Sequence, residues 1–266
     1  MPVLKSYPNG LTMGGAGGNP TPSKRSTVRG WSPGAARRNT RFLYSVDTSQ
    51  LHGHGVALTL TVGVLPGTPE EFANLRSVYV RWLSRQGMIR LHWVCEWQQR
   101  LVPHLHMAVY FKEPLSAVQR ALLLHKWQIM TSHLQTSARG QDCKPIDGVT
   151  GWLKYLSKHA ARGAKHYQRQ AGLMPDSWEK SGRMWGHWGE WPVEEPVEVN
   201  LDGAQAARLR RLVKSYALAQ ARAAEDWKRV RFLRRIYKNP DPAMSRFRGI
   251  SEWVPQEVLL RFTELV

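Results

Sequence analysis

Cysteine is nearly absent. The 266 residues hold two, Cys95 and Cys143, too few for a disulfide framework, and neither stands in a CxxC metal pair. Cys95 lies in an apolar run and reads as a small core residue. No apolar run approaches the roughly 20 residues of a membrane span. The opening MPVLKSYPNG lacks the apolar stretch of a secretory signal, so a cytoplasmic protein with no membrane partner is expected. A GxxxxGK[ST] phosphate loop is also missing, since GNPTPSKRS has no glycine before its lysine. No nucleotide cofactor is therefore expected, and any duplex unwinding has to come from elsewhere. Acid is the last scarcity: 20 Asp and Glu stand against 38 Lys and Arg, a formal charge of +18 and a pI near 10.4. A polyanion is the natural partner for such a chain, because each Lys or Arg set on a phosphate releases condensed counterions. Charge alone separates neither DNA from RNA nor an enzyme from a coat protein.

What is present comes in blocks. Residues 1–40 are rich in Gly, Pro, Ser and Thr, contain no acid, and carry Lys5, Lys24, Arg25, Arg29, Arg37 and Arg38. That composition reads as a flexible basic arm that orders on a phosphate backbone. From Arg41 the texture changes. GVALTLTVGV (55–64) alternates and is β-branched, which predicts a strand. TPEEFANLRSVYVRWLSRQG follows, with Thr68 as N-cap, acids in the first turn and Gly87 as the stop; Phe72, Leu75, Val78, Tyr79 and Trp82 keep helical spacing. RLHWVCEW (90–97) and HLHMAVYF (104–111) are two strands joined by a short turn, hence an antiparallel hairpin. EPLSAVQRALLLHKWQIMTSHL predicts a second helix and DGVTGWLKYLSKHAAR (147–162) a third. The order implies an α+β domain over residues 41–199 with an antiparallel sheet and flanking helices. Residues 163–199, with Trp178, Trp185, Trp188 and Trp191, read as irregular structure on its edge. Residues 200–266 form a basic helical C-terminal region. Its main helix, about 203–238, sets eleven Lys or Arg between residues 208 and 238 against Glu225 and Asp226; NPDP breaks it before a last short helix.

The chemistry gathers at PHLHMAVYF (103–111). Side chains alternate across a strand, so His104 and His106 share one face while Leu105 enters the other. Two neutral imidazoles at that separation can share a divalent cation. Glu96 precedes His104 by eight residues, and an antiparallel hairpin in even register, for example 96 opposite 106, turns it toward the pair. Gln98 shares that face and is the fallback ligand. Two histidines and one carboxylate suit Mg²⁺ or Mn²⁺ polarising a phosphate oxygen. In the third helix Tyr155, Lys158, His159 and Arg162 fall on one face. There a phenol could attack a phosphodiester while Lys158 steadies the phosphate and Arg162 holds backbone.

Taken in order, Leu58-Thr59-Leu60-Thr61, then Glu96 with His104-Leu105-His106, then Tyr155-x-x-Lys158 resemble the HUH endonucleases. Within them the set looks most like the rolling-circle replication initiators of small plasmids and filamentous phages. The flanks RGWSPGAARRNTRFLYSV and SGRMWGHWGEW are similar to those of the phage initiators. The resemblance spans residues 29–191 and implies an HUH/RRM-like palm with a central antiparallel sheet of about five strands. It implies Tyr155 as nucleophile, Lys158 beside it, and Glu96, His104 and His106 on Mg²⁺ or Mn²⁺. It further implies single-stranded origin DNA as substrate, a 5′-phosphotyrosyl intermediate, a free 3′-hydroxyl, and a host helicase and polymerase in a bacterial cell, with oligomerisation open. Arg37 and Arg38 of the arm, His159 and Arg162, and Arg210, Arg211, Arg234 and Arg235 of the C-terminal region are the candidates for gripping DNA. Some members of the family carry two tyrosines in the third motif. Here Lys158 holds the partner position and Tyr167 falls twelve residues on, so a single-tyrosine enzyme is expected, with termination by a second protomer or by water left open.

Three rivals remain. Relaxases usually place their tyrosine ahead of the histidines, and Tyr44 in RFLYSV is the upstream candidate, in a run that reads as strand. Single-strand transposases share the motifs but are generally shorter. The third rival is a basic DNA-binding protein whose histidines are structural. Histidine-triad hydrolases are argued against by Ala108, which stands where their third histidine would be.

Overall fold

The structure is a computed structural model that describes residues 1–14, 30–148, 151, 152, 155, 167–169, 174–178, 180–238 and 249–264. The chain divides into two compact units. Lys24–Phe42 with Thr48–Pro192 form the larger; Met1–Ser23, Leu43–Asp47 and Val193–Val266 form the smaller.

The larger unit is built on five antiparallel strands in the order β6-β3-β5-β4-β7, where β3 is His54–Thr61, β4 Met88–Trp97, β5 Pro103–Phe111, β6 Asp142–Ile146 and β7 Trp185–Gly189. Alternation decides its faces. Val56, Leu58 and Leu60 of β3, Leu91, Trp93, Cys95 and Trp97 of β4, and Leu105, Met107 and Val109 of β5 are buried in one cluster. They meet Phe72, Tyr79 and Leu83 of α2 (Pro69–Arg85) and Leu123 and Trp127 of α3 (Ala117–Met130). The two helices are pinned by polar bonds as well: Tyr79 donates to the Leu123 carbonyl at 3.0 Å, and Trp127 Nε1 to the Thr61 carbonyl at 2.9 Å. α2 starts as its sequence dictates. Thr68 accepts the Glu71 N–H, Pro69 opens the first turn and Glu70 and Glu71 meet the helix dipole. It ends before Gly87, whose φ of +86° suits glycine.

The α+β class with an antiparallel sheet holds, and several local expectations are corrected. RFLYSV is not a strand. Ser32 caps the Ala35 N–H, and α1 (Pro33–Ser45) carries the segment through as helix. β6 and β7 lie in stretches read as loop and irregular edge: β7 is the segment WGHWG, which shows no apolar–polar alternation, and β6 holds Pro145 on an edge strand, where proline costs no ladder bond. The third helix (147–162) falls largely outside the described residues.

The smaller unit overturns the flexible arm for residues 3–14. Val3–Tyr7 (β1) and Gly10–Gly14 (β2) form a hairpin within a four-stranded antiparallel sheet, β8-β1-β2-β9, with β8 Val197–Asn200 and β9 Gly249–Trp253. The strands are held by burial that composition hides: Leu4, Leu11 and Met13 pack with Leu209 and Val213 of α4 (Gly203–Ala223) and Leu259 and Phe262 of α6 (Gln256–Glu264). The expected single basic helix is two. α4 stops at Ala223, Glu225 adopts a positive φ, and α5 (Trp227–Lys238) folds back so that Val230 and Leu233 cover Ala217 and Ala221. Among the described residues no helix is long and apolar enough to cross a membrane.

Candidate metal and nucleophile site

Register places the chemistry. Glu96 on β4 stands opposite His104 on β5, and Val94 opposite His106, while β3 sets Thr61 against His104 and Thr59 against His106. The pairing is even, as the acid requires, with 96 facing 104 rather than the 106 used as an example. Glu96, His104 and His106 therefore share the sheet face away from α2 and α3. All three are buried, and each offers one ligand atom within 4.8 Å of the others, a set that can hold a metal ion. Two opposed ligands at about 2.2 Å from a cation span about 4.4 Å, so the donor atoms fit a small hard ion with slight closure.

The surroundings orient each candidate ligand. Thr59 Oγ1 lies 3.1 Å from His106 Nδ1, leaving Nε2 toward Glu96 Oε2 at 3.6 Å. This is the partner that fixes a ligating imidazole's ring and tautomer. Glu96 is shared. Its Oε1 accepts from Arg169 Nε at 2.9 Å, both side chains fully buried, and the guanidinium lies 3.9 Å above the Trp31 ring. A carboxylate this deep needs a cation, and Arg169 supplies one without consuming the oxygen that faces His106. Gln98 is not the spare ligand: its carbonyl oxygen takes the Arg100 Nε–H at 2.7 Å, which turns its amide nitrogen to His104 Nδ1 at 3.3 Å. An amide N–H cannot ligate a cation.

Tyr155 is buried on the same face. Its hydroxyl lies 2.9 Å from Nδ1 of His92, a β4 residue of the same parity as Glu96, paired with Ala108 of β5. Burial raises the phenol above its ordinary range, with the Glu96 charge adding to this and Arg169 opposing it. His92 also touches Asn39 Oδ1 through Nε2 at 2.7 Å. Burial, with His187 and Arg169 nearby, pushes its imidazole down to about 3, so it is neutral. Phe42 stacks on both His92 and His187, at 5.6 and 4.3 Å between centroids.

Of the other expected residues, Lys158, His159 and Arg162 lie outside the described residues. Arg37 and Arg38 are exposed on α1 rather than in an arm, and Arg38 lines an open cleft of about 910 Å³ with Lys180, Arg183, Trp185 and His187. In the smaller unit Arg210 is half-buried, while Arg211, Arg234 and Arg235 are exposed. Tyr44, the relaxase-like candidate, is buried in its own unit with its ring 6.2 Å from that of Tyr7. Sequence reasoning missed His92, Asn39 and Arg169. Only His92 carried a signal, its even spacing from Glu96.

Comparison with known proteins places the chain in a family. Residues 55–160 match the family model of replication-associated protein ORF2/G2P. Replication-associated protein G2P of Pseudomonas phage Pf3 is 42% identical over 265 residues, covering 98% of this chain and 95% of that one. Two Xylella fastidiosa proteins named for replication are as similar: one from strain 9a5c is 44% identical over 98% of this chain and 95% of its own, and one from strain Temecula1 43% over 95% and 99%. No solved structure matches the chain. With its motifs, its sheet and relatives aligned over nearly their whole length, the chain belongs to the family of replication-associated proteins that includes phage G2P.

Proposed function

We propose that the protein initiates rolling-circle replication by nicking single-stranded origin DNA with Tyr155. One observation carries the reading: the buried Glu96–His104–His106 set and the Tyr155 hydroxyl lie on one face of one sheet. Glu96, His104 and His106 hold Mg²⁺ or Mn²⁺, which when bound withdraws charge from the scissile phosphate. Tyr155 forms the new bond to phosphorus and the 3′-oxygen departs, leaving a 5′-phosphotyrosyl link and a 3′-hydroxyl for a host polymerase. Lys158 steadies the phosphate, with His159 and Arg162 on the backbone beside it. The strand must be unpaired to reach buried groups, and a host helicase keeps it so as replication proceeds. Arg37 and Arg38 of α1, and Arg210, Arg211, Arg234 and Arg235 of α4 and α5, grip phosphates. A bacterial cytoplasm is the setting.

The test is incubation of the full chain with single-stranded origin DNA and Mn²⁺, then a denaturing gel. An adduct is expected from the native chain. None is expected from Tyr155→Phe, from His104→Ala with His106→Ala, or in EDTA, and Mn²⁺ added after EDTA restores it. Adduct formation that persists in chelator or in Tyr155→Phe overturns the scheme.

A further inference from the structure

The nicking reading requires a phenol held in a fixed direction, and the buried Asn39 and His92, with the half-buried Phe42, are arranged to hold it. His92 has no solvent exposure and lies between two partners, Asn39 Oδ1 at 2.7 Å from Nε2 and Tyr155 Oη at 2.9 Å from Nδ1. An amide oxygen only accepts, so with Oδ1 facing it the imidazole carries its proton on Nε2. Nδ1 then presents a lone pair, and the Tyr155 hydroxyl donates to it. Asn39 is itself fully buried on α1, and Phe42, one turn on, stacks against the His92 ring. The imidazole is thus fixed in tautomer by one neighbour and in plane by another.

We propose that Asn39 and His92 are positioning residues for the nucleophile, Asn39 setting the tautomer of His92 and His92 aiming the Tyr155 oxygen along the sheet face that carries His106. The inference rests on the nicking reading and deepens it. His92 pairs across the hairpin with Ala108, and His106 is the next residue of β5 on that face, a step of about 7 Å along a strand. His92 orients and does not act as the base. An imidazole whose basicity burial has lowered, against a phenol that burial has made less acidic, leaves the proton on Tyr155. The reaction balances without it: the Tyr155 Oη–phosphorus bond forms, the phosphorus–O3′ bond breaks, and in net balance the phenolic proton reappears on the 3′-hydroxyl.

The experiment measures single-turnover adduct formation on origin oligonucleotide with Mn²⁺, together with oligonucleotide affinity in EDTA and thermal melting. The variants are His92→Phe, His92→Asn, Asn39→Leu and Asn39→Asp. His92→Phe and Asn39→Leu are expected to slow the adduct step about 100-fold, the usual loss when a reacting group is misplaced by about an ångström, with affinity held within about twofold, as for groups that position and do not bind. Asn39→Asp, whose carboxylate also only accepts, should recover most of the rate, and His92→Asn, which keeps an oxygen near the place of Nδ1, should recover part. Nitrogen-15 spectra of histidine-labelled, metal-free protein supply a readout apart from activity. One signal lost in His92→Asn should report an Nε2–H tautomer, retained in Asn39→Asp and mixed in Asn39→Leu. Folded Asn39→Leu and His92→Phe proteins that react as fast as the native chain overturn the proposal, as does an Nδ1–H tautomer at His92. A native chain that forms no adduct overturns the nicking reading instead, and the tautomer measurement still decides the arrangement.

Discussion

Replacing Arg169 with Met removes the guanidinium from a carboxylate that stays buried. The two groups are 2.9 Å apart with neither side chain exposed. At an effective dielectric of about 20 the Coulomb term is roughly 6 kcal/mol, and breaking one side of such a pair typically costs about 3–5 kcal/mol once relaxation is included. The guanidinium also leaves the face of the Trp31 ring, which it approaches to 3.9 Å, and this adds up to about 1 kcal/mol. For a unit of this size each kcal/mol moves the melting temperature by about 2–4 °C, so a fall on the order of 10 °C is expected in calorimetry. Two further measurements identify the cause. Adding Glu96→Gln to Arg169→Met should recover most of the loss, because the charge that needed a partner is gone. Mn²⁺ should raise the melting temperature of Arg169→Met more than that of the native chain, since a cation near His106 replaces the missing charge and binding to the folded state alone stabilises it. If the single variant melts with the native chain, or the double variant is no better than the single, Glu96 does not depend on Arg169 and the account of a shared carboxylate fails.

Three further outcomes follow from other parts of the molecule. Thr68→Ala deletes the side-chain oxygen that accepts the Glu71 N–H at 3.1 Å and should lower stability by about 1 kcal/mol in urea titration; no shift in midpoint would mean that tertiary packing alone fixes the start of α2. His92 is held neutral with its pKa pushed from 6.5 down to about 3, so between those values the unfolded chain binds a proton the folded one does not, and this part of the stability falls as pH drops, by up to about 1.4 kcal/mol per unit. The slope of stability against pH in that window should be shallower for His92→Asn, and an identical slope refutes the buried neutral imidazole. α5 exposes Lys228, Arg231, Arg234 and Arg235 with no acid among its residues. Changing all four to Gln should reduce the slope of log affinity against log salt on origin duplex by about 0.9 for each phosphate no longer neutralised, and an unchanged slope removes α5 from the DNA interface.

Legibility followed the range of the forces. α2 was readable because its cap, its acids and Gly87 all act within a turn. β3 was readable because its apolar and polar residues alternate, and β4 and β5, buried on both faces, because each is a short, largely apolar run ending at a turn. β1 and β2 were not: VLKSY and GLTMG pair with each other, but the strands that cover their outer edges, residues 197–200 and 249–253, lie nearly two hundred positions away or more, and their Gly-rich surroundings resemble an arm. RFLYSV shows the converse, since a six-residue stretch with four apolar positions has no period of its own and the cap at Ser32 decides it.

The site divides along the same line, and the reason lies in what parity can convey. Even spacing puts His92 and Glu96 on one face of β4 and His104 and His106 on one face of β5, so the face is fixed as soon as the hairpin register is. It does not say what lies above that face. A carboxylate at Glu96, near the end of a strand buried on both sides, requires a cation, yet that requirement is met equally by a metal or by an arginine anywhere in the chain. The geometry divides the two oxygens, Oε1 to Arg169 from 73 residues away and Oε2 toward His106. Had the arginine taken both in the bidentate manner it usually prefers, the acid would be spent on structure. Contact through Nε falls on Oε1, while Oε2 lies 3.6 Å from His106 Nε2, so Glu96 meets a structural cation and a histidine of the candidate site with different oxygens.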